Sequence, residues 1–160
     1  SREEKLIKNI LVALDGSQHS EKAAKYAADI AQKYNAQITL IHVIEPPTII
    51  MPTGGAETSM PTAEIQLTQT ITQQMETKAK KLLTQHQKNL QNKGINAKTL
   101  ILKGNIPETI LTTAEKNNHD LIIVGSRGLG NIKRFLLGST SDKKPVSYTH
   151  LRAHETRHDL

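Results

Sequence analysis

Apolar residues fall along this chain in two alternating patterns: short unbroken runs, and longer stretches where they return every three or four positions. Asn9 to Leu14, NILVAL, is a run of the first kind, closed by Asp15-Gly16-Ser17, and it predicts a buried strand followed by a turn. From Glu21 onward Ala23, Ala24, Ala27, Ile30, Ala31 and Tyr34 form one stripe at helical spacing, rich in side chains small enough to sit close to a sheet. AQITLIHVI, ending at Ile44, predicts a second strand, and the following PPTIIMPTGGAETSMP, with four of the six prolines, predicts a loop. A loop of that length in a compact domain is usually functional or disordered.

Thr62 to Lys93 carries Leu67, Ile71, Met75, Ala79, Leu82, Leu83 and Leu90 on one stripe, a long amphipathic helix that Gly94 terminates. INAKTLILKG is a third strand. Pro107 opens a third helix, with Ile106, Ile110, Leu111 and Ala114 facing inward and an end near Asn117 and Asn118. DLIIVG is a fourth strand, and NIKRFLL, between two glycine clusters, is expected to be helical. Strands alternating with helices imply right-handed parallel crossovers, hence an α/β fold: an open, mostly parallel twisted sheet with helices on both faces. Such sheets bind ligands beyond the carboxyl ends of their strands. Asp15 and the glycine run from Gly125 both fall on that edge.

With 160 residues, one domain is expected. The chain has no Cys, which excludes disulfides and thiolate metal sites. No run reaches membrane-spanning length and the charged start SREEKLIKN lacks an apolar core, so neither a transmembrane helix nor a signal peptide is expected, and a cytoplasmic location is. The net charge of +6 does not change this picture into nucleic-acid binding. Residues 143–160 alone contribute +2 of it, the other basic residues are scattered on helical stretches, and aromatic residues for stacking make up only 2%.

The glycines after the fourth strand raise the question of ligand. Gly125, Gly128 and Gly130 can aim main-chain N–H groups at one point, a following helix start would add its dipole, and Ser139, Thr140 and Ser141 after Gly138 add hydroxyl donors. Asp15 could accept from a ribose hydroxyl or join a metal shell. The spacing is neither a Walker loop nor a dinucleotide fingerprint. On the residues alone, two readings stand: a phosphate cradle, or turn glycines in a strand-to-helix connection. Asp15 likewise has two, a ligand contact or a helix cap shared with Ser17, and Arg127 is either a ligand contact or a solvated loop charge. His42, between apolar neighbours on a strand, is read as a packed, hydrogen-bonded imidazole and not as a general base. No nucleophile–base pair stands out, which argues against a dedicated hydrolase.

The pattern Gly125-x2-Gly128-x9-Gly138-Ser139, with NILVALDGS, LIHVIEPP and KGNIPETIL in the same order, resembles the universal stress protein family over residues 7 to 142. That form, G-2x-G-9x-G-[ST], is the mark of the family's ATP-binding branch. The resemblance implies a sheet of order 3-2-1-4-5, a homodimer, and nucleotide-dependent regulation in stress response with at most weak ATP hydrolysis. It places adenine against Val43, and Asp15 with Ala13 and Leu14 on the ribose or adenine side. It places ribose and phosphates between Gly125, Arg127 and Gly128 on one side and Gly138, Ser139, Thr140 and Ser141 on the other. The ligand implied is ATP, with AMP and ADP as alternatives, and Mg or Mn held through the phosphates. The competing reading is a dimerising interaction protein with a vestigial pocket, and a slow ATPase is a third.

The resemblance stops near residue 142, so the expected organisation is a nucleotide-binding domain at 1–142 and an atypical tail at 143–160. The family continues with an amphipathic helix and a fifth strand, whereas here the chain reads KKPVSYTHLRAHETRHDL. This tail resembles peptides produced where a reading frame runs into foreign sequence, and is read as non-native. Strand order 3-2-1-4 with the fifth strand missing or degraded is therefore expected. That would leave DLIIVG without a neighbour, with SYTHL as a poor substitute, and would put the homodimer in doubt in favour of a monomer or an aggregating chain. His154-Glu155-Thr156-Arg157-His158 fits H-E-x-x-H, but it has no supporting ligand helix, and a zinc protease is rejected.

Overall fold

The computed structural model describes residues 7–47, 62–125, 132–137 and 145–147. Strand β1 (Asn9–Leu14) is the axis of the fold: all its residues after Asn9 are buried, with parallel neighbours on both sides. Helix α1 (Gln18–Tyr34) begins where Ser17 accepts at Oγ from the Ser20 N–H, and ends at Asn35 in the left-handed region. Strand β2 (Gln37–Ile44), helix α2 (Thr62–Asn92), strand β3 (Ala97–Lys103), helix α3 (Ile106–Lys116) and strand β4 (Leu121–Gly125) follow. The Asn105 side chain caps α3 by accepting from the Glu108 N–H at 3.0 Å, beside Pro107 in the first turn.

Among the described residues the sheet has the order β3-β2-β1-β4-β5-β6, with β1 to β4 parallel and β5 (Ile132–Leu137) and β6 (Pro145–Ser147) antiparallel. The expected α/β class, the order 3-2-1-4 and helices on both faces are all present.

Two expectations are corrected. IKRFLL is a strand and not a helix, so no helix start follows the glycines to lend a dipole. Seven residues between Gly130 and Gly138 are too few for a stable helix, and the run serves both faces of a sheet: Ile132 and Leu136 pack on the α1 side, Phe135 and Leu137 on the α3 side. DLIIVG is accordingly not left without a neighbour, because β5 pairs along it from Leu121↔Leu136 to Gly125↔Ile132. The edge expected to hold a degraded parallel strand is closed by an antiparallel one. Ser147 of the expected SYTHL substitute reaches this sheet through β6, while Tyr148 and Thr149 lie outside the described residues.

Parity sorts the core. Ile10, Val12 and Leu14 of β1, with Leu121 and Ile123 of β4, pack under the alanine stripe of α1 and under Leu83 and Leu90 of α2. Leu11, Ala13, Ile41, Val43 and Ile122 face the other way, toward Ile110 and Ala114 of α3. At the amino ends of the strands the Asp120 carboxylate accepts from the Lys8 and Asn9 N–H groups at 2.8 and 2.9 Å, fixing β4 beside β1. At the carboxyl ends the parallel strands stop within a residue or two of each other, and there the chain changes face.

Candidate functional site

The turn after β1 is built by three consecutive residues. Gly16 has φ +85°, which favours glycine, and its N–H donates to Ser20 Oγ at 3.1 Å. Asp15 Oδ1 accepts from the Ser17 N–H at 2.9 Å and from Ser17 Oγ at 2.5 Å. The helix cap is thus Ser17, and Asp15 orients the cap while its exposed carboxylate stands at the mouth of a cavity.

That cavity has a volume of about 610 Å³ and lies on the α3 side at the carboxyl edge of the sheet, within the size range of small-ligand sites. Its floor is Ala13, Val43, Ile122 and Val124 from three adjacent strands. One wall is the first two turns of α3, Ile106, Pro107, Ile110 and Leu111, and the other is Lys133 and Phe135 of β5. Asp15, His42 and Glu45 bring polar atoms to an otherwise apolar space. The Leu14 carbonyl oxygen lies 2.6 Å from His42 Nδ1, so that nitrogen carries the proton and donates, tying the end of β2 to the end of β1. His42 is therefore engaged in the hydrogen bond its setting suggests.

Of the residues carried over from the resemblance, Ala13, Leu14, Asp15, Val43 and Gly125 all line this one cavity. Arg127, Gly128, Gly138, Ser139, Thr140 and Ser141 lie outside the described residues, as do His154 and His158. Packing alone requires Gly125 to be bare. A Cβ there would lie 2.2 Å from the His19 carbonyl oxygen and 2.9 Å from the Ala23 methyl, so the first turns of α1 occupy its side-chain direction while its backbone borders the cavity.

Sequence reasoning missed Glu45, Lys133 and Phe135 as lining residues. Lys133 and Phe135 carried no signal, because their place depends on β5 being a strand. Pro107, Ile110 and Leu111 were legible as an inward-facing helix start, though not as a cavity wall. Among the described residues no three His, Asp or Glu side chains cluster so as to hold a metal ion, and no helix is long and apolar enough to cross a membrane.

The model of the universal stress protein family matches residues 6–143. The chain belongs to that family. A universal stress protein of Thermus aquaticus is 32% identical over 86% of this chain and 90% of its own length. The stress response protein NhaX of Bacillus subtilis is 31% identical over 84% and 89%. Among solved structures, UspA of Lactobacillus plantarum superposes with a TM-score of 0.61 at 25% identity, over 73% of this chain and 75% of that one. A universal stress protein solved in complex with cAMP is similar at a TM-score of 0.50 and 19% identity, over 78% of this chain and 77% of that one.

Proposed function

We propose that this universal stress protein binds an adenine nucleotide in the cavity at the carboxyl edge of its sheet and acts as a nucleotide-dependent regulator in stress response. The observation that carries the reading is the convergence of Ala13, Leu14, Asp15, Val43 and Gly125, from three strands, on one largely apolar cavity of about 610 Å³. An apolar floor and wall suit a purine ring, and Asp15 at the mouth suits a ribose hydroxyl. A solved family member's complex with cAMP supports the ligand class. ATP is the proposed ligand, ahead of ADP and AMP, because Gly125-x2-Gly128-x9-Gly138-Ser139 offers backbone and hydroxyl donors enough for several phosphates. A divalent cation, Mg or Mn, would be held by those phosphates and would serve to neutralise their charge.

A second reading, an interaction protein whose pocket is vestigial, is favoured by the amino-terminal half of α2, where Ile65, Leu67 and Ile71 are exposed. A thermal melt with and without Mg-ATP separates the two. A ligand that binds only the folded chain at one hundred times its Kd stabilises it by about 2.7 kcal/mol, a shift of several degrees in Tm. An unmoved Tm at millimolar Mg-ATP overturns the nucleotide reading and leaves the interaction reading standing.

A further inference from the structure

The polar groups around the cavity are not evenly spread. Glu45 follows β2 and Asp15 follows β1, so the carboxylates lie at one side. Lys133 lies at the other, on β5, paired in register with Val124, one residue before β4 ends. Between β2 and β5 lie β1 and β4, and three strand spacings amount to about 14 Å. The alternation of β5 turns Lys133 to the same face as Phe135 and Leu137, and so to the cavity, while Arg134 points to the other face and reaches the Tyr26 hydroxyl.

Lys133 is half-buried against apolar neighbours, and among the described residues no carboxylate or hydrogen-bond acceptor engages its ammonium. A cation in such a place forgoes part of its hydration without a compensating partner in the protein, and an anion entering the cavity would supply one. The acidic side, by contrast, offers only acceptors, which suit the hydroxyl and amino donors of a nucleoside.

Resting on the nucleotide reading above and on the ligand orientation that the family resemblance implies, we infer that Lys133 is a phosphate-pairing residue at the β5 end of the site. The nucleoside end lies toward β1 and β2, the phosphate end lies toward β5, and affinity rises with the number of phosphates. The glycine pattern implies phosphates at that end through backbone and hydroxyl donors alone; Lys133, on the strand between Gly130 and Gly138, adds a side-chain charge that the pattern does not require.

The test is isothermal titration of the full chain with adenosine, AMP and Mg-ATP, for the wild type, Lys133→Met and Lys133→Arg, with circular dichroism to check that each variant folds. Loss of one charge-assisted contact predicts about tenfold weaker Mg-ATP binding by Lys133→Met, adenosine binding changed less than about twofold, and recovery in Lys133→Arg. The salt dependence of Mg-ATP binding should also flatten in Lys133→Met. Equal weakening of adenosine and Mg-ATP, or no change in either, overturns the inference and leaves the nucleotide reading intact. A wild-type chain that binds none of the three overturns both.

Discussion

The two faces of the sheet are built from the same kinds of strand residue and end up with opposite properties. On one face α1 lies flat because its inward stripe is almost entirely alanine: Ala23, Ala24, Ala27, Ala28 and Ala31 are all buried. The carboxyl-terminal half of α2 covers the rest of that face through Ala79, Leu83 and Leu90. On the other face the 11-residue α3 covers the amino-terminal part of the sheet through Ile110 and Ala114 and leaves the carboxyl edge uncovered. The difference teaches that a cavity in this fold comes from a shortage of helix and needs no special strand sequence: Ala13 and Val43 belong to the buried core of this face and also form the cavity floor.

Gly125 stands where the two faces meet and gives the sharpest way to break the contrast. Its backbone borders the cavity, but its side-chain direction runs into the His19 carbonyl at 2.2 Å, a contact no Cβ tolerates without moving α1. Gly125→Ala is expected to cost about 3 kcal/mol or more, the upper range for overpacking a filled core, read as the midpoint of urea denaturation. A stable variant that had merely lost nucleotide affinity would show that the cavity side, and not α1, requires the glycine.

Filling the other face should have the reverse result. Leu111 is half-buried on α3 and lines the cavity, so Leu111→Trp adds volume on the cavity side. Stability should stay within about 1 kcal/mol of the wild type, whereas the rise in Tm with Mg-ATP should vanish. A retained nucleotide shift would place the ligand elsewhere. A large loss of stability would mean that this face is as tightly packed as the first.

How far the molecule could be read in advance follows the same division. The four parallel strands and three helices were legible because each carries one dominant period, and the alanine stripe of α1 announced a close-packed face before any contact was known. IKRFLL was misread because six residues fit either period, and the glycines before it were credited to a helix start when a strand follows them. The error propagated to the site: with β5 unrecognised, Lys133 and Phe135, the chain's single phenylalanine, had no address. Asp15 could be placed because it follows a strand of unambiguous pattern, and strand ends are where such sheets hold ligands, whereas Val43 was placed only through the family resemblance. The packing reason for Gly125, the approach of α1, could not be read from sequence, since it depends on how closely two separate elements pack.

The smallest expected effect comes from the end of the sheet opposite the cavity, where stability itself should depend on pH. His119, between α3 and β4, is 6% exposed, and its Nδ1 has no hydrogen-bond partner among the described residues. Burial holds its pKa below the ordinary histidine value, while the Ala114 backbone and the Asp120 carboxylate pull the other way. His86 on α2 is lowered for the same first reason and opposed by Glu21. With the folded pKa below the unfolded one, the unfolded chain binds more protons in the interval between them, so stability rises with pH across that interval. The contribution is complete above the unfolded value of about 6.5 and is lost as pH falls from there toward the folded value. Melts between about pH 7.5 and 5.5 should therefore show a modest decline in Tm on the acid side, smaller than either effect above. His119→Phe should reduce that decline and cost little at neutral pH, because it also deletes a buried nitrogen without a partner. The residual slope should fall further when His86→Gln is added. An acid-side decline that is unchanged in the double variant would show that these two histidines do not set it.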